Sequence, residues 1–188
     1  LGERQGKLEA VASLAMAELS NDKLFVHAGV VEWRGKAILI PGKSHSGKST
    51  LSAEMVKCGA TYNSDEFAVI DERGCVTAYP KPLSIREPGK QKQRSVPVEK
   101  IGGRIGNESL TVGLVVVSHY ESNATWKPQP LSPGIGLLSL LENTHSAQRT
   151  PSRAIQTLKQ VAENALIVKS ARGDASMVAS KILSEMPL

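Results

Sequence analysis

The sequence is poor in the features that mark secreted and membrane proteins. Only two cysteines, Cys58 and Cys75, occur among its 188 residues, which excludes a disulfide framework and gives no metal-ligand spacing. No apolar run approaches the roughly 18 residues that a membrane span requires. Residues 1–4 neither resemble a signal peptide nor include a start methionine. We therefore expect a cytoplasmic protein without a membrane segment, whose first residue lies inside a longer chain.

Aromatic residues are scarce as well, at 4% of the chain, whereas 40% hydrophobic and 22% charged residues suit a globular protein. The length fits one domain, and neither a repeat nor a linker-like segment divides the sequence. We predict a single domain over residues 1–188. Residues 1–23 are predicted to carry an N-terminal helix, because apolar side chains recur at helical spacing between Lys7 and Leu19.

The positive charge of the chain is concentrated in one segment. Residues 81–104 contain seven basic and two acidic residues, an excess of five that equals the net charge of the whole chain. Prolines and glycines predict a loop here, which we interpret as a mobile basic flap for phosphates or an acidic partner, with an ordinary solvated loop as the alternative. No aromatic residue is interleaved in it, which argues against stacking on nucleic acid. Arg86 is a candidate for closing over a terminal phosphate, or is simply one of the seven bases.

A glycine-rich stretch indicates the chemistry. The residues ILIPGKSHSGKSTLSAEM, from Ile38 to Met55, have the spacing G-x-x-x-x-G-K-S between a strand-like and a helix-like run. Glycines permit a backbone whose N–H groups converge on an anion at the positive end of the following helix. Lys48 can reach the β- and γ-phosphates of ATP, and the Ser49 hydroxyl can ligate Mg²⁺. A fortuitous turn rich in small residues is the alternative. The predicted nucleotide-binding residues are Gly42, Lys43, Ser44, His45, Ser46, Gly47, Lys48, Ser49 and Thr50.

The approach to this glycine loop predicts the fold class. Residues 30–33 and 36–40 flank the pair Arg34-Gly35, a pattern typical of a β-hairpin with a two-residue turn. A hairpin strand that enters the loop favours a mixed, largely antiparallel sheet over the parallel sheet that usually precedes such loops. The β-branched run Leu110–His119 predicts a central strand. We predict an α/β fold with such a sheet and flanking helices.

Charged residues near the glycine loop are candidate catalytic groups. Asp65 and Glu66 follow Lys48 by 17 and 18 residues, at the beginning of a predicted strand. Because side chains alternate along a strand, only one of them should face the nucleotide unless the strand bends there. A carboxylate at this position could bind Mg²⁺, for which Asp65 is the candidate, or accept the proton of an attacking hydroxyl. A solvated strand end is the alternative. His27, alone in an apolar run, is by itself more typical of a core histidine.

One segment of the chain resembles a known family. Phe25–Ile70 contains, in order, a histidine, a hairpin, the glycine loop, a helix and an acidic pair. This order is similar to that of the catalytic domain of HPr kinase/phosphorylase and its serine-kinase relatives, which share a fold with phosphoenolpyruvate carboxykinase. The signature glutamate–isoleucine–arginine–glycine of the enzymes that act on HPr is matched only in part, by SIRE at 84–87 and IGGRIG at 101–106.

The resemblance implies a role for each matching residue. His27 falls on the active-site histidine of the family, Lys48 on the loop lysine and Ser49 on the Mg²⁺ ligand. Asp65 and Glu66 fall on a double aspartate, whose second member accepts the serine proton and returns it in the reverse reaction. Glu66 is one methylene longer than that aspartate, so we expect the two carboxylates to share the role of the base.

The function expected from these observations is that of an ATP- and Mg²⁺-dependent serine kinase. Its acceptor would be an HPr-like carrier protein, another protein, or the precursor of a modified peptide, and family relatives often form homo-oligomers. His27 and Arg86 would offset charge on the transferred phosphoryl group. The alternatives are a nucleotide-sensing module without transfer activity, and a small-molecule kinase or carboxykinase-like enzyme.

Overall fold

The computed structural model describes residues 22–86, 93–145 and 147–185, and these form a mixed α/β fold with a mainly antiparallel sheet. The predicted N-terminal helix falls outside the described residues. In chain order the elements are β1 (Leu24–Trp33), β2 (Lys36–Pro41), α1 (Lys48–Lys57), β3 (Thr61–Ser64), β4 (Phe67–Ile70), β5 (Cys75–Thr77), β6 (Leu83–Arg86), β7 (Gln93–Val96), a 3₁₀ helix (Val98–Ile101), β8 (Ser109–Tyr120), β9 (Gln129–Pro130), α2 (Pro133–Leu141), α3 (Pro151–Asn164), β10 (Leu166–Arg172) and α4 (Ala175–Glu185). In the described ranges, no helix combines the length and the apolar character needed to cross a membrane.

Two long strands, β1 and β8, organise the larger sheet. β1 pairs antiparallel with β2, β3 and β4 along different parts of its length. β8 pairs parallel with β2 and β10 and antiparallel with β5, so the predicted central strand is confirmed. The predicted hairpin is confirmed too: Arg34 and Gly35 connect β1 to β2 with φ angles of 52° and 77°, which match the right-handed twist of paired strands.

Helices cover both faces of the sheet because its strands carry apolar side chains on both sides. On β2, Ile38 and Ile40 belong to a core cluster that includes residues of α1 and α4. The alternate residue Leu39 belongs to a second cluster with residues of α2 and α3. A strand that is buried on both faces reads as a continuous apolar run, which is how this strand appears in the sequence.

The prediction of a loop over residues 81–104 is wrong for twelve of the eighteen residues that the structure describes there. β6 and β7 pair antiparallel from Leu83↔Val96 to Arg86↔Gln93, and the 3₁₀ helix follows them. Alternation of apolar Leu83 and Ile85 with polar neighbours suits a strand, but the nearby prolines and glycines obscured that signal. We call the paired strands β6 and β7 the basic hairpin. Residues 87–92, between these strands in the sequence, lie outside the described residues, and so does the side chain of Arg86, whose role stays a prediction.

Candidate functional site

The glycine loop connects the end of β2 to the beginning of α1, against the middle of β1. The Gly42 amide donates a hydrogen bond to the His27 carbonyl (3.2 Å), which ties the start of the loop to β1. His45 and Gly47 adopt left-handed conformations, with φ of 72° and 85°. The helix begins at once, since the Leu51 amide donates to the Gly47 carbonyl (3.1 Å). The first N–H groups of α1 have no intrahelical partner and form the positive end of the helix beside the loop.

Lys48 is almost completely buried at this helix end, with 7% of its surface exposed. Its Nζ donates to the Lys43 carbonyl (3.2 Å), so the ammonium group lies against the first residues of the loop. Burial lowers the pKa of Lys48, and the negative charges of Asp65 and Glu66 oppose that decrease. A buried ammonium held inside a loop of small residues is suited to an anionic ligand.

The acidic pair interrupts the strand that the sequence predicts. Residues 61–70 form two short strands, β3 and β4, with a bend at Asp65 and Glu66. The Ser64 hydroxyl stabilises the bend by accepting the amides of Glu66 (3.3 Å) and Phe67 (3.2 Å). Because of this bend, both carboxylates act on the charge of Lys48, and the strand alternation that would separate them does not apply.

Asp65 is buried and incompletely hydrogen-bonded. Its Oδ2 accepts the Ser84 amide (3.0 Å), whereas Oδ1 is buried without a well-formed hydrogen bond from any described residue. Burial raises the pKa of Asp65 to about 6, against opposition from the Ser84 amide, the Ser49 hydroxyl and the Lys48 charge. A buried carboxylate oxygen beside a hydroxyl is a suitable pair of ligands for a hard cation such as Mg²⁺.

Glu66 has different surroundings from Asp65. Its Oε2 forms an ion pair with Lys81 Nζ (2.6 Å), and both side chains are about one-quarter exposed. The Lys81 carbonyl in turn accepts the Tyr62 hydroxyl (2.5 Å). Together with the bond from Ser84 to Asp65, these contacts attach the beginning of the basic hairpin to the acidic pair.

His27 lies on β1 beside the loop, as the sequence predicts for a site residue. Burial lowers the pKa of His27 to about 4, and the charges of Lys48 and His145 add to the decrease. Its imidazole is therefore neutral near pH 7. The ring packs against Phe67 and His145, with centroids 6.1 Å away in each case.

A cavity of about 460 Å³ opens beside His27. The segment between α2 and α3 forms its other wall, and it is fixed to β1 by hydrogen bonds from the His27 amide to the Asn143 carbonyl (2.7 Å) and from the His145 amide to the Phe25 carbonyl (3.2 Å). The residues that line the cavity are His27, Lys43, Leu141, Glu142, Asn143, Thr144, His145, Ala147 and Gln148. This wall could not be predicted, because residues 141–148 match no motif.

Arg172 is the second feature that the sequence did not reveal. It ends β10 and is 2% exposed, and its Nη2 donates to the Gly47 carbonyl (2.7 Å). The structure thus brings together His27, Lys48, Asp65, Glu66 and the loop residues, and adds Arg172 beneath the loop. Ser44, His45 and Thr50 of the loop are exposed, while Ser49 is half-buried.

Two groups of the site titrate with opposite effects on stability. Asp65 changes its pKa from 3.8 to about 6 on folding, so it destabilises the fold as the pH rises from about 4 to 6. His27 changes from 6.5 to about 4, so it destabilises the fold as the pH falls through that window. As the pH rises from 4 to 6, the melting temperature of Asp65→Asn should increase relative to that of the unsubstituted protein. The melting temperature of His27→Asn should decrease relative to it over the same range. Melting temperatures without nucleotide or metal test both; parallel curves for all three proteins would contradict the assignment.

Comparison with known proteins adds no relative at this point. No protein-family profile matches the chain, and no curated protein is significantly similar to it. Among the described residues, no group of three or more His, Cys, Asp or Glu side chains could hold a metal ion by itself.

Proposed function

We propose that the chain is an ATP- and Mg²⁺-dependent serine kinase with an HPr kinase-like fold. The observation that carries the proposal is the position of Lys48: a buried ammonium at the start of α1, inside a glycine loop and within the influence of two carboxylates. A triphosphate supplies the anion that this arrangement lacks. The resemblance of Phe25–Ile70 to the HPr kinase/phosphorylase family supports the same chemistry.

The residues at the loop fit a magnesium ion. Asp65 offers a buried oxygen without a well-formed hydrogen bond, and the Ser49 hydroxyl acts on the same carboxylate. We assign these two side chains to Mg²⁺, which would also take oxygen ligands from phosphate and water. When bound, the cation would neutralise charge that develops on the β- and γ-phosphates.

The remaining carboxylate, Glu66, is then the proton acceptor. The serine hydroxyl oxygen attacks the γ-phosphorus, the bond from that phosphorus to the β,γ-bridging oxygen breaks, ADP leaves, and the hydroxyl proton passes to Glu66. Lys81 holds the Glu66 carboxylate through their ion pair at 2.6 Å. Lys48 lies against the γ-phosphate end of the loop, and neutral His27 beside it is suited to donate a hydrogen bond to the transferred group.

We assign the 460 Å³ cavity to the acceptor. Lys48 Nζ contacts the Lys43 carbonyl, so the terminal phosphate that Lys48 would bind lies near Lys43. Lys43 and His27 both line the cavity. The cavity therefore adjoins the phosphate that is transferred, and its volume suits a serine on a short extended segment better than a folded surface.

Filling this cavity should weaken use of the acceptor without affecting ATP. Gln148 is exposed and lines the cavity, so Gln148→Trp should lower kcat/KM for the acceptor by about tenfold or more through steric exclusion alone. The KM for ATP should not change. Gln156→Trp on the exposed side of α3 is the control. Equal losses for ATP and acceptor would contradict the assignment of the cavity.

Incubation with γ-labelled ATP tests the proposed function directly. Candidate acceptors are an HPr-like carrier protein, serine-containing peptides and a small-metabolite pool. Label on serine of a protein or peptide is the expected result. Binding of ATP without any labelled product would favour a nucleotide-sensing module, and label on a metabolite would favour a small-molecule kinase.

A further inference from the structure

Arg172 is the largest side chain among the fully buried residues in the described ranges. Its guanidinium lies beneath the glycine loop, where Nη2 donates to the carbonyls of Gly47 (2.7 Å) and Ser46 (3.4 Å). These two residues are 125 and 126 positions away in the sequence. A bond of this kind fixes the loop to β10, a strand that pairs with β8 and β9.

The charge of Arg172 is only partly offset: no described residue forms a direct ion pair with it, and the exposed carboxylate of Asp174 acts on it from farther away. None of the salt bridges formed by the described residues involves it, and its Nε is buried without a hydrogen-bond partner among those residues. The Tyr120 ring lies 6.0 Å from Cζ, and burial lowers the pKa of Arg172. Burial of a guanidinium without a direct ion pair is costly, so an anion bound nearby would reduce that cost.

The two carbonyl contacts also set the direction of the loop amides. In a trans peptide the C=O and the following N–H point in opposite directions. When Arg172 holds the carbonyls of Ser46 and Gly47, the N–H groups of Gly47 and Lys48 point away from it, toward the open side of the loop. Converging N–H groups at this position bind phosphate.

Gly47 is required by the same contact. Its φ of 85° disfavours any side chain, and a Cβ atom at this position would collide with Nη2 of Arg172. The second glycine of the motif therefore leaves room for the guanidinium on one side of the backbone, in addition to the approach of phosphate on the other.

We propose that Arg172 is a positioning residue for polyphosphate binding: it orients the Gly47 and Lys48 amides through the preceding carbonyls, and its buried charge is compensated when the polyphosphate binds. This rests on the nucleotide-binding part of the proposed function, but not on phosphoryl transfer. The ligand class is a polyphosphate chain, independent of its base.

Binding of ATP and of inorganic tripolyphosphate to the intact chain tests this role. Arg172→Met should weaken both by roughly 10- to 100-fold, the range expected when hydrogen bonds from a charged group are lost. Equal losses for both ligands place the effect on the phosphate chain. The ligand-free melting temperature of Arg172→Met reports separately whether loss of the contacts to the Ser46 and Gly47 carbonyls also destabilises the fold. Arg153→Met, which removes a guanidinium from the surface pair with Glu72, is the matched control and should bind normally.

A second variant keeps the test decisive if Arg172→Met does not fold. Arg172→Lys retains the charge but replaces the planar guanidinium with a compact ammonium group that does not place a donor where Nη2 meets the two carbonyls, so an intermediate loss of affinity is expected. Affinities within twofold of the unsubstituted protein for either variant would overturn the role of Arg172 and leave the proposed function intact. If the unsubstituted protein bound neither ligand, both proposals would fail together, whereas binding without transfer would affect only the kinase assignment.

Discussion

Replacement of Glu66 by glutamine is expected to lower the rate of phosphoryl transfer by about 10²- to 10⁴-fold, the range for loss of a general base. The affinity for ATP should not change. Glutamine has nearly the same shape, and its carbonyl oxygen can still accept the Lys81 ammonium that contacts Glu66 at 2.6 Å. The variant therefore keeps the local packing and loses only the ability to accept the proton of the attacking hydroxyl. Single-turnover kinetics with γ-labelled ATP measure the chemical step separately from binding.

Asp65→Asn is the matched variant on the neighbouring carboxylate. Asp65 differs from Glu66 in its burial, in its hydrogen bond from the Ser84 amide at 3.0 Å and in its proximity to the Ser49 hydroxyl. If Asp65 ligates Mg²⁺, the asparagine variant should need a much higher Mg²⁺ concentration for half-maximal rate. Glu66→Gln should retain the normal Mg²⁺ requirement. If instead Glu66→Gln needed more Mg²⁺ and Asp65→Asn lost only the rate of transfer, the assignment of base and metal ligand would be reversed. Near-normal rates in both variants would exclude the acidic pair from catalysis.

The local elements near the loop were predictable because their signals are short-range. The turn at Arg34-Gly35 needs residues that tolerate positive φ, and this alone predicted the antiparallel entry into the loop that the structure confirms. Likewise, the residues of the glycine-loop motif, from Gly42 to Ser49, are consecutive in the sequence and shape a single local stretch of backbone. Such patterns depend on neighbouring residues, so one sequence is sufficient to recognise them.

The bend at Asp65 and Glu66 could not be predicted with the same rules. It depends on the Ser64 hydroxyl accepting two backbone amides, and a serine in a strand-like run is usually uninformative. The burial of Arg172 was also inaccessible, because its partners lie more than a hundred residues away. An arginine that ends a short apolar run is ordinarily a surface residue, and only the tertiary arrangement reveals the contact with the loop.

The prediction of a loop at residues 81–104 failed for a related reason. Prolines and glycines normally interrupt strands, and they outweighed the weak alternation around Leu83. The hairpin is compatible with them because the prolines at 82 and 97 flank the paired residues Leu83–Arg86 and Gln93–Val96. As a result, Arg86 and Arg94 lie on paired strands rather than in a free loop.

The second large effect is expected for Lys48→Met, which should abolish detectable binding of ATP. Methionine fills much of the volume of the buried stem and removes the charge, so the loop keeps its packing but loses the ammonium group nearest the β- and γ-phosphates. An unsubstituted protein at 100 times its Kd for ATP gains about 2.7 kcal/mol of stability through ligand binding. The variant should gain none at the same ATP concentration, which thermal unfolding with and without ATP and Mg²⁺ measures.

The charge at the opposite end of the same helix provides the control for this experiment. Lys57 lies in the last turn of α1, roughly 14 Å from Lys48 along the axis, and pairs with Glu54 on the surface at 2.7 Å. Lys57→Met removes the same charge from the same helix, yet solvent and salt screen it from the loop, so its stabilisation by ATP should equal that of the unsubstituted protein. If Lys48→Met kept that stabilisation as well, the Lys48 ammonium would not be a ligand of the ATP phosphates.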